Sequence, residues 1–334
     1  MRFDLRRRDF ITLLGGSAAI LWPLAARAQQ AEQMRRIGVL MGLAEDDPDT
    51  KARLARFRQG LETRGWSEDR NVRIDYRFAP AGAQAQLLAK ELVDLQPDVM
   101  LAQGTALIAA LRRESAAIPI VFVGVADPIG SGFIASLAQP GGNLTGVMLY
   151  EASVTGKWLA MLKEIMPQLA RVALIFNPKT ATYYDFYVRA AEAVAPSLMI
   201  QVVLSPVENA AEIERAIESF ASTPNGGLLL LPDISNTIHR DLIAALAIRH
   251  RLPAVFDNRN FVSAGGLMSY GVVMVDLYRQ AAYYLDRILR GDKPADLPAQ
   301  APTRYDTALN LKTAKALGLT VPPGLLVAAD EVIE

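Results

Sequence analysis

Asp127-Pro-Ile-Gly-Ser-Gly-Phe-Ile-Ala-Ser-Leu-Ala-Gln-Pro-Gly-Gly-Asn143 divides the chain, and the reading of the fold turns on it. Four glycines and two prolines in this stretch halt a pattern that is regular on either side. Toward the N-terminus, β-rich apolar runs alternate with amphipathic helical stretches. Ile118–Val123 reads as a strand, Ala106–Ser115 as a helix, Val99–Leu101 as a strand, and Gln84–Leu95 as a helix with Leu88, Leu92 and Leu95 on one face. Further back, Val72, Ile74 and Tyr76 alternate as in a strand. Lys51–Gly65 repeats Leu54, Phe57 and Leu61 at helical spacing, and Ile37–Leu40 is the first apolar run.

Toward the C-terminus a second series begins with the extended Leu144–Met148. It continues through a helix at Val154–Met166, a strand at Val172–Phe176, a helix at Ala181–Ala195 and a strand at Met199–Leu204. A helix at Ala210–Phe220, a strand at Gly227–Leu231, a helix at Ser235–His250 and a strand at Ala254–Phe256 follow. After Gly265-Gly266 come the extended Leu267–Tyr270 and a long amphipathic helix, Val275–Leu289. Strands alternating with helices predict βαβ units and parallel sheets, so two such series predict an α/β protein of two lobes. Leu144–Met148 and Leu267–Tyr270 read as crossings between the lobes. The proline-rich tail from Lys293, with a strand-and-helix unit at Tyr305–Leu317, reads as a third. The expected division is lobe 1 at 35–146 plus 272–292 and lobe 2 at 149–268 plus 293–330. The hinge then falls near 144–148, 267–271 and 293–304.

Residues 1–28 read as an export signal. Arg6-Arg7-Arg8 precedes the apolar Ile11–Ala26, and Ala26-Arg27-Ala28 supplies small residues for cleavage after Ala28. Arg7-Arg8-Asp9-Phe10-Ile11 fits the twin-arginine pattern. The apolar run is shorter than the ~20 residues of a membrane-spanning helix. Basic and acidic residues number 35 each, and the leader holds five of the basic and two of the acidic ones. The remainder, 30 against 33, carries a net charge of −3 and offers no basic stripe for nucleic acid. Cysteine is absent, which excludes thiol catalysis, disulfides, thiolate metal sites and a lipid-modified cysteine. The expected protein is periplasmic, not membrane-inserted once mature, and monomeric.

Signatures of catalysis are sparse. His239 and His250 are too far apart to share a metal, and His-Glu-x-x-His, Gly-x-Ser-x-Gly, Walker and Gly-x-Gly-x-x-Gly patterns are missing. No metal or cofactor is expected. In open α/β sheets, ligands bind beyond the carboxyl ends of strands. That rule selects Gly42, Gly104, Thr105 and Asp127 in the first series, and Asn177, Tyr183, Asp233 and Asp257 in the second. Gly104 admits close backbone approach, and Thr105 could cap a helix whose first N–H groups take a carboxylate. Asp127 and Asp257 suit a ligand ammonium group, although Asp127 precedes proline, which favours a turn there. Asp233 serves either a ligand or the start of the next helix. Tyr183 begins an aromatic cluster fit for stacking, and Tyr270 lies at a proposed crossing.

Longer motifs carry a family resemblance. Ile118-Pro-Ile-Val-Phe122, Asp127-Pro128, Ser136-Leu-Ala-Gln-Pro-Gly-Gly-Asn-Leu-Thr-Gly146, Arg171–Pro178 and Arg251-Leu-Pro253 resemble ABC-transporter substrate-binding proteins of the tryptophan/tyrosine-type group. So do Phe261-Val-Ser-Ala-Gly-Gly-Leu-Met-Ser-Tyr-Gly271 and Asn310-Leu-Lys-Thr-Ala-Lys-Ala-Leu-Gly-Leu319. The resemblance implies a type I periplasmic-binding fold, two Rossmann-like lobes on a multi-crossing hinge with the ligand cleft between them. It also implies delivery of a small molecule, such as an aromatic amino acid or a related carboxylate, to an inner-membrane permease and its ATPase. An exported sensing subunit would use the same lobes, and an exported enzyme built on two carboxylates is a further alternative. A sugar-type repressor would need a DNA-reading helix-turn-helix where this chain has its leader.

Overall fold

The computed structural model describes residues 34–334 apart from 69, 81 and 82; the expected export signal and the expected cleavage point lie outside the described residues. Among the described residues the strands form two sheets, one in each lobe. The first holds β1 (Arg35–Met41), β2 (Val72–Phe78), β3 (Val99–Gln103), β4 (Ile120–Val125) and β5 (Leu144–Met148). Its order is β2-β1-β3-β4-β5, with every pairing parallel. The second holds β6 (Arg171–Phe176), β7 (Gln201–Pro206), β8 (Gly226–Leu230), β9 (Ala254–Phe256), β10 (Met268–Val272), β11 (Tyr305–Asn310) and β12 (Glu331–Ile333). Its order is β12-β11-β10-β9-β8-β6-β7, and only the β10–β11 pairing is antiparallel.

Alternation along each strand builds a core on both faces of each sheet. In the first sheet Ile37, Val39 and Met41 face Leu54, Phe57 and Leu61 of the Pro48–Glu62 helix. Leu40, Met100 and Phe122 instead meet Ile108 and Leu111 of the Gly104–Glu114 helix. In the second sheet Val172 and Leu174 pack toward Trp158 and Leu162, while Ala173, Leu228 and Leu230 pack toward Ile213 and Ile217.

The chain passes between the sheets three times. It leaves after β5 through 149–153 and returns at Val273 into the Met274–Leu289 helix. That helix lies on the Pro48–Glu62 helix and against β4 and β5 of the first sheet. A last passage through 290–304 leads to β11. These passages run side by side: Gln300 N donates to Gly146 O (3.0 Å), and Met148 N donates to Gln300 O (2.8 Å). The buried Tyr150 binds the bundle together. Its hydroxyl donates to Asp257 O and accepts from Val272 N (3.1 Å), and its ring meets Trp158 edge-on at 5.5 Å.

Two elements differ from the sequence expectation. The helix expected over Ser235–His250 is two, Ile234–Ile238 and Arg240–Arg249, broken at His239. Side chains compete there for carbonyls: Thr237 Oγ1 donates to Asp233 O (3.1 Å), and His239 Nδ1 lies 2.9 Å from Ser235 O. Beyond Leu317 the tail forms a further helix, Pro323–Ala328, and the short edge strand β12. No helix among the described residues is long and apolar enough to cross a membrane.

Candidate functional site

A cavity of about 720 Å³, its open mouth included, lies where the carboxyl ends of both sheets face each other. The first lobe contributes Gly42 after β1, Gln103 to Leu107 after β3, Gly124 in β4 and Leu149 after β5, with Arg53 from the Pro48–Glu62 helix. The second contributes Thr180 and Tyr183 after β6, Pro232 to Ile234 and Thr237 after β8, and Asp257 and Asn258 after β9.

On the first lobe the wall is rich in unused donors. Gly104 adopts φ +76°, a conformation that side-chain-bearing residues rarely hold, and a Cβ there would meet nothing within 4 Å. Gln103 stands at the N-cap of the Gly104–Glu114 helix, and its side chain makes no cap bond to the first-turn N–H groups. Thr105 does not cap; its Oγ1 is buried without a partner. Arg53 is only 4% exposed and lies 3.5 Å from Asp49, one turn earlier, while its Nη1 has no partner. Behind it stands the Tyr278 phenol, which burial pushes up to about 12 against the pull of Arg53. That hydroxyl donates to Gln103 Oε1 (3.0 Å).

The second lobe presents two buried acids in different situations. Asp233 caps the Ile234–Ile238 helix, accepting from Ser235 N (3.1 Å), Asn177 N (2.8 Å) and Thr180 Oγ1 (2.6 Å). Burial raises its carboxyl, and those three donors oppose the rise. Asp257 is less well served. Among the described residues one side-chain donor reaches it, Asn258 Nδ2 at 2.9 Å. Burial therefore pushes its carboxyl up to about 7, against the weaker pull of its own backbone N–H, Asn258 and Arg53. Arg53 and Asp257 line one cavity and form no ion pair with each other; Arg53 pairs with Asp49. A buried, perturbed acid facing a cleft makes the cleft a candidate functional site.

Six of the nine residues selected from the sequence share this cavity: Gly42, Gly104, Thr105, Tyr183, Asp233 and Asp257. Three lie elsewhere. Asp127 forms the turn that its following proline suggests, accepting from Gly130 N (2.7 Å). Asn177 stands behind Asp233, and its Oδ1 accepts from Lys179 N (2.9 Å). Tyr270 stacks on Tyr305 at 5.4 Å in the crossing region. Sequence reasoning missed Arg53, Thr180, Thr237, Asn258 and Met274. Thr180 and Asn258 follow strands β6 and β9 closely and were within reach of the strand-end rule; Arg53 sits mid-helix and carried no such signal.

The lobes also touch directly beside the cavity. Asn260 Nδ2 donates to Asp49 Oδ1 (2.6 Å), and Arg240 Nη1 lies 3.7 Å from Asp47 Oδ2. A Cβ on Gly42 would lie 3.5 Å from the Ile234 side chain, so the backbone there runs close under it.

Comparison with known proteins agrees with this architecture. The family model described as ABC transporter substrate binding protein matches residues 37–333. A tyrosine-binding protein of Clostridioides difficile (strain R20291) is 24% identical over 291 residues, 86% of this chain and 82% of that protein. An ABC domain from Streptococcus pneumonia in complex with L-Trp superposes with TM-score 0.82 at 23% identity, over 90% of this chain and 100% of that one. The ligand-free, open structure of a substrate binding protein with adhesive properties from Clostridium difficile gives 0.66 at 22% identity, over 90% and 99%. A family match over nearly the whole described chain, on a fold of two facing α/β lobes, decides the identity: the protein belongs to the ABC transporter substrate-binding protein family.

Proposed function

We propose that the chain is the periplasmic solute-binding component of an ABC importer, capturing a small molecule by closure of its lobes and presenting it to a permease and its ATPase. The observation that carries this reading is the cavity built jointly by the strand ends of two separate sheets. A ligand there touches both lobes at once, and only such differential contact biases an equilibrium toward a closed arrangement. The proposed division is lobe 1 at 35–146 plus 272–292 and lobe 2 at 149–268 plus 293–330, hinged near 144–148, 267–271 and 293–304. Gly42, Gly104, Thr105, Tyr183, Asp233 and Asp257, joined by Arg53, are the proposed ligand contacts. Residues 1–28 are proposed as a twin-arginine signal cleaved after Ala28, releasing a monomer.

Several features support a carboxylate ligand of the aromatic amino acid type. The first-lobe wall offers a guanidinium beside an uncapped helix start. One relative is a tyrosine-binding protein, and another was solved in complex with L-Trp. Selective binding to the folded state raises melting temperature by mass action. Purified mature protein is expected to gain stability with amino acids or aromatic acids, and its radius of gyration to fall on binding. A screen of amino acids, aromatic acids, short carboxylates and sugars without any shift defeats the reading.

A further inference from the structure

We infer that Ile234 is the plug on which the two lobes seat. It docks over the recess that Gly42 leaves in the first lobe, and this pair fixes how far the cleft closes and how large a ligand side chain it encloses. The inference rests on the capture function proposed above and names what sets its size limit.

Gly42 directly follows β1, between Met41 and Leu43, whose side chains are both buried. Its φ lies outside the left-handed region, so the backbone there would accept any residue. What glycine supplies at this point is space. A Cβ on residue 42 would find Ile234 Cδ1 and Cγ1 at 3.5 Å and Leu107 Cδ1 at 3.6 Å. Its nearest neighbour thus belongs to the opposite lobe. One methyl group would fill that gap to ordinary contact, and any longer side chain would meet Ile234 and hold the lobes apart.

Ile234 is rigidly mounted for this role. It opens the Ile234–Ile238 helix between two anchored residues. Asp233 accepts from Asn177 N, Thr180 Oγ1 and Ser235 N, while Asn236 Nδ2 donates to Ile175 O (3.1 Å) and Leu231 O (3.0 Å). Pro232 O accepts from Tyr183 Oη (2.6 Å). These bonds tie the turn to the ends of β6 and β8, so the plug advances with its lobe. The neighbouring Asn260–Asp49 and Arg240–Asp47 contacts join side-chain tips, which tolerate sliding. A branched side chain packed on backbone does not, because close-packed atoms resist even small approach. Ile234 also shares the cavity wall with Leu107, Leu149 and Met274, so the contact that stops closure bounds the ligand's apolar end as well.

The chain has no cysteine, so an engineered pair reports this contact without background. In the Gly42→Cys, Ile234→Cys double variant, mild oxidation of the ligand-free protein should form an intramolecular disulfide in most molecules, read by thiol titration and non-reducing electrophoresis. The 3.5 Å separation of position 42 from Ile234 Cγ1 brings the two sulfurs within reach. The control pair Gly42→Cys, Ile238→Cys, one turn farther along the helix, should stay reduced. A 42–234 pair that stays reduced overturns the inference, whatever the protein binds. Calorimetry with L-leucine, L-phenylalanine, L-tyrosine and L-tryptophan then tests the size limit. Gly42→Leu should weaken the best of these at least about 30-fold, and adding Ile234→Ala should recover most of the loss. Ile234→Ala alone should shift the ratio of tryptophan to leucine affinity about tenfold or more toward tryptophan. A Gly42→Leu loss without rescue would put the clash on the ligand and not on Ile234, and an unchanged ratio would leave Ile234 without a hold on size. Either result overturns the inference and leaves capture intact. A wild type that binds none of the four defeats the size limit together with the amino acid reading.

Discussion

At the scale of single residues the site's behaviour follows from how each buried acid is satisfied. Asp257 has a folded value of about 7, above the ordinary carboxylate value of 3.8, because burial outweighs its few donors. The empty folded protein therefore keeps a proton that the unfolded chain has lost. The stability this group contributes is present below about pH 4 and declines as pH rises toward 7, with a limiting slope of about 1.4 kcal/mol per pH unit. If Asp257 takes the ammonium group of an amino acid, as its place in the cavity suggests, it must be ionised, so affinity has the opposite trend. Amino acid affinity should fall up to about tenfold per pH unit below 7 and level off above it. Asp257→Asn should flatten both the affinity profile and this part of the melting profile. Titrations from about pH 5 to 8 test this, and a wild-type affinity that ignores pH would remove Asp257 from the ammonium contact. Asp233 offers a contrast, since three donors converge on it from both sides of its helix start. Asp233→Ala should cost about 1–3 kcal/mol in urea unfolding by stranding those buried donors.

At the scale of elements, the most constrained contact is between helices far apart in sequence. A Cβ on Gly60 would lie 2.8 Å from the Cβ of Ala282, which brings the Pro48–Glu62 and Met274–Leu289 helices into near-backbone contact. Gly60→Val should therefore destabilise by about 1–3 kcal/mol through overpacking. Adding Ala282→Gly should recover part of that loss, and equilibrium unfolding of the single and double variants decides it. Full additivity would show that the clash is not between these two positions. The same contact illustrates what a sequence discloses. The strands and helices were readable because their periodicity is local: Leu54, Phe57 and Leu61 report a helix wherever it packs. That the Met274–Leu289 helix lies on this partner depends on Gly60 and Ala282, residues whose smallness is informative only once they are opposed. The strand-end rule likewise found Asp257 but not Arg53, which reaches the cavity from the second turn of a helix. Asp127 satisfied the same rule and folded into its own turn, because a carboxylate three residues before an available N–H has a nearer partner than any ligand.

At the scale of the whole molecule, the helix that delivers Arg53 also joins the lobes. Asp49 receives a 2.6 Å bond from Asn260, and Asp47 in the preceding turn lies 3.7 Å from Arg240. Both acceptors belong to the first lobe's Pro48–Glu62 helix and its cap, and both donors to helices that follow cleft strands of the second. Such contacts exist only when the lobes approach, so under the proposed closure they would favour the closed arrangement whether or not ligand is present. They are modest terms. The charge-assisted amide bond and the longer, partly exposed ion pair together should be worth about 1–2 kcal/mol. If the lobes close as proposed, a bias of that size would keep an empty protein poised between arrangements and leave ligand contacts to complete the shift. The double variant Asn260→Ala, Arg240→Ala should bind its ligand about five- to thirtyfold more weakly, with the loss mainly in a faster dissociation rate. The cavity residues are untouched, so whatever ranking of ligands the wild type shows should persist in the weakened protein. Small-angle scattering of the empty variant should give a larger radius of gyration than wild type, and saturating ligand should bring the two together. Unchanged affinity and unchanged scattering would mean that these contacts accompany closure without favouring it, and that the ligand supplies the whole of the bias.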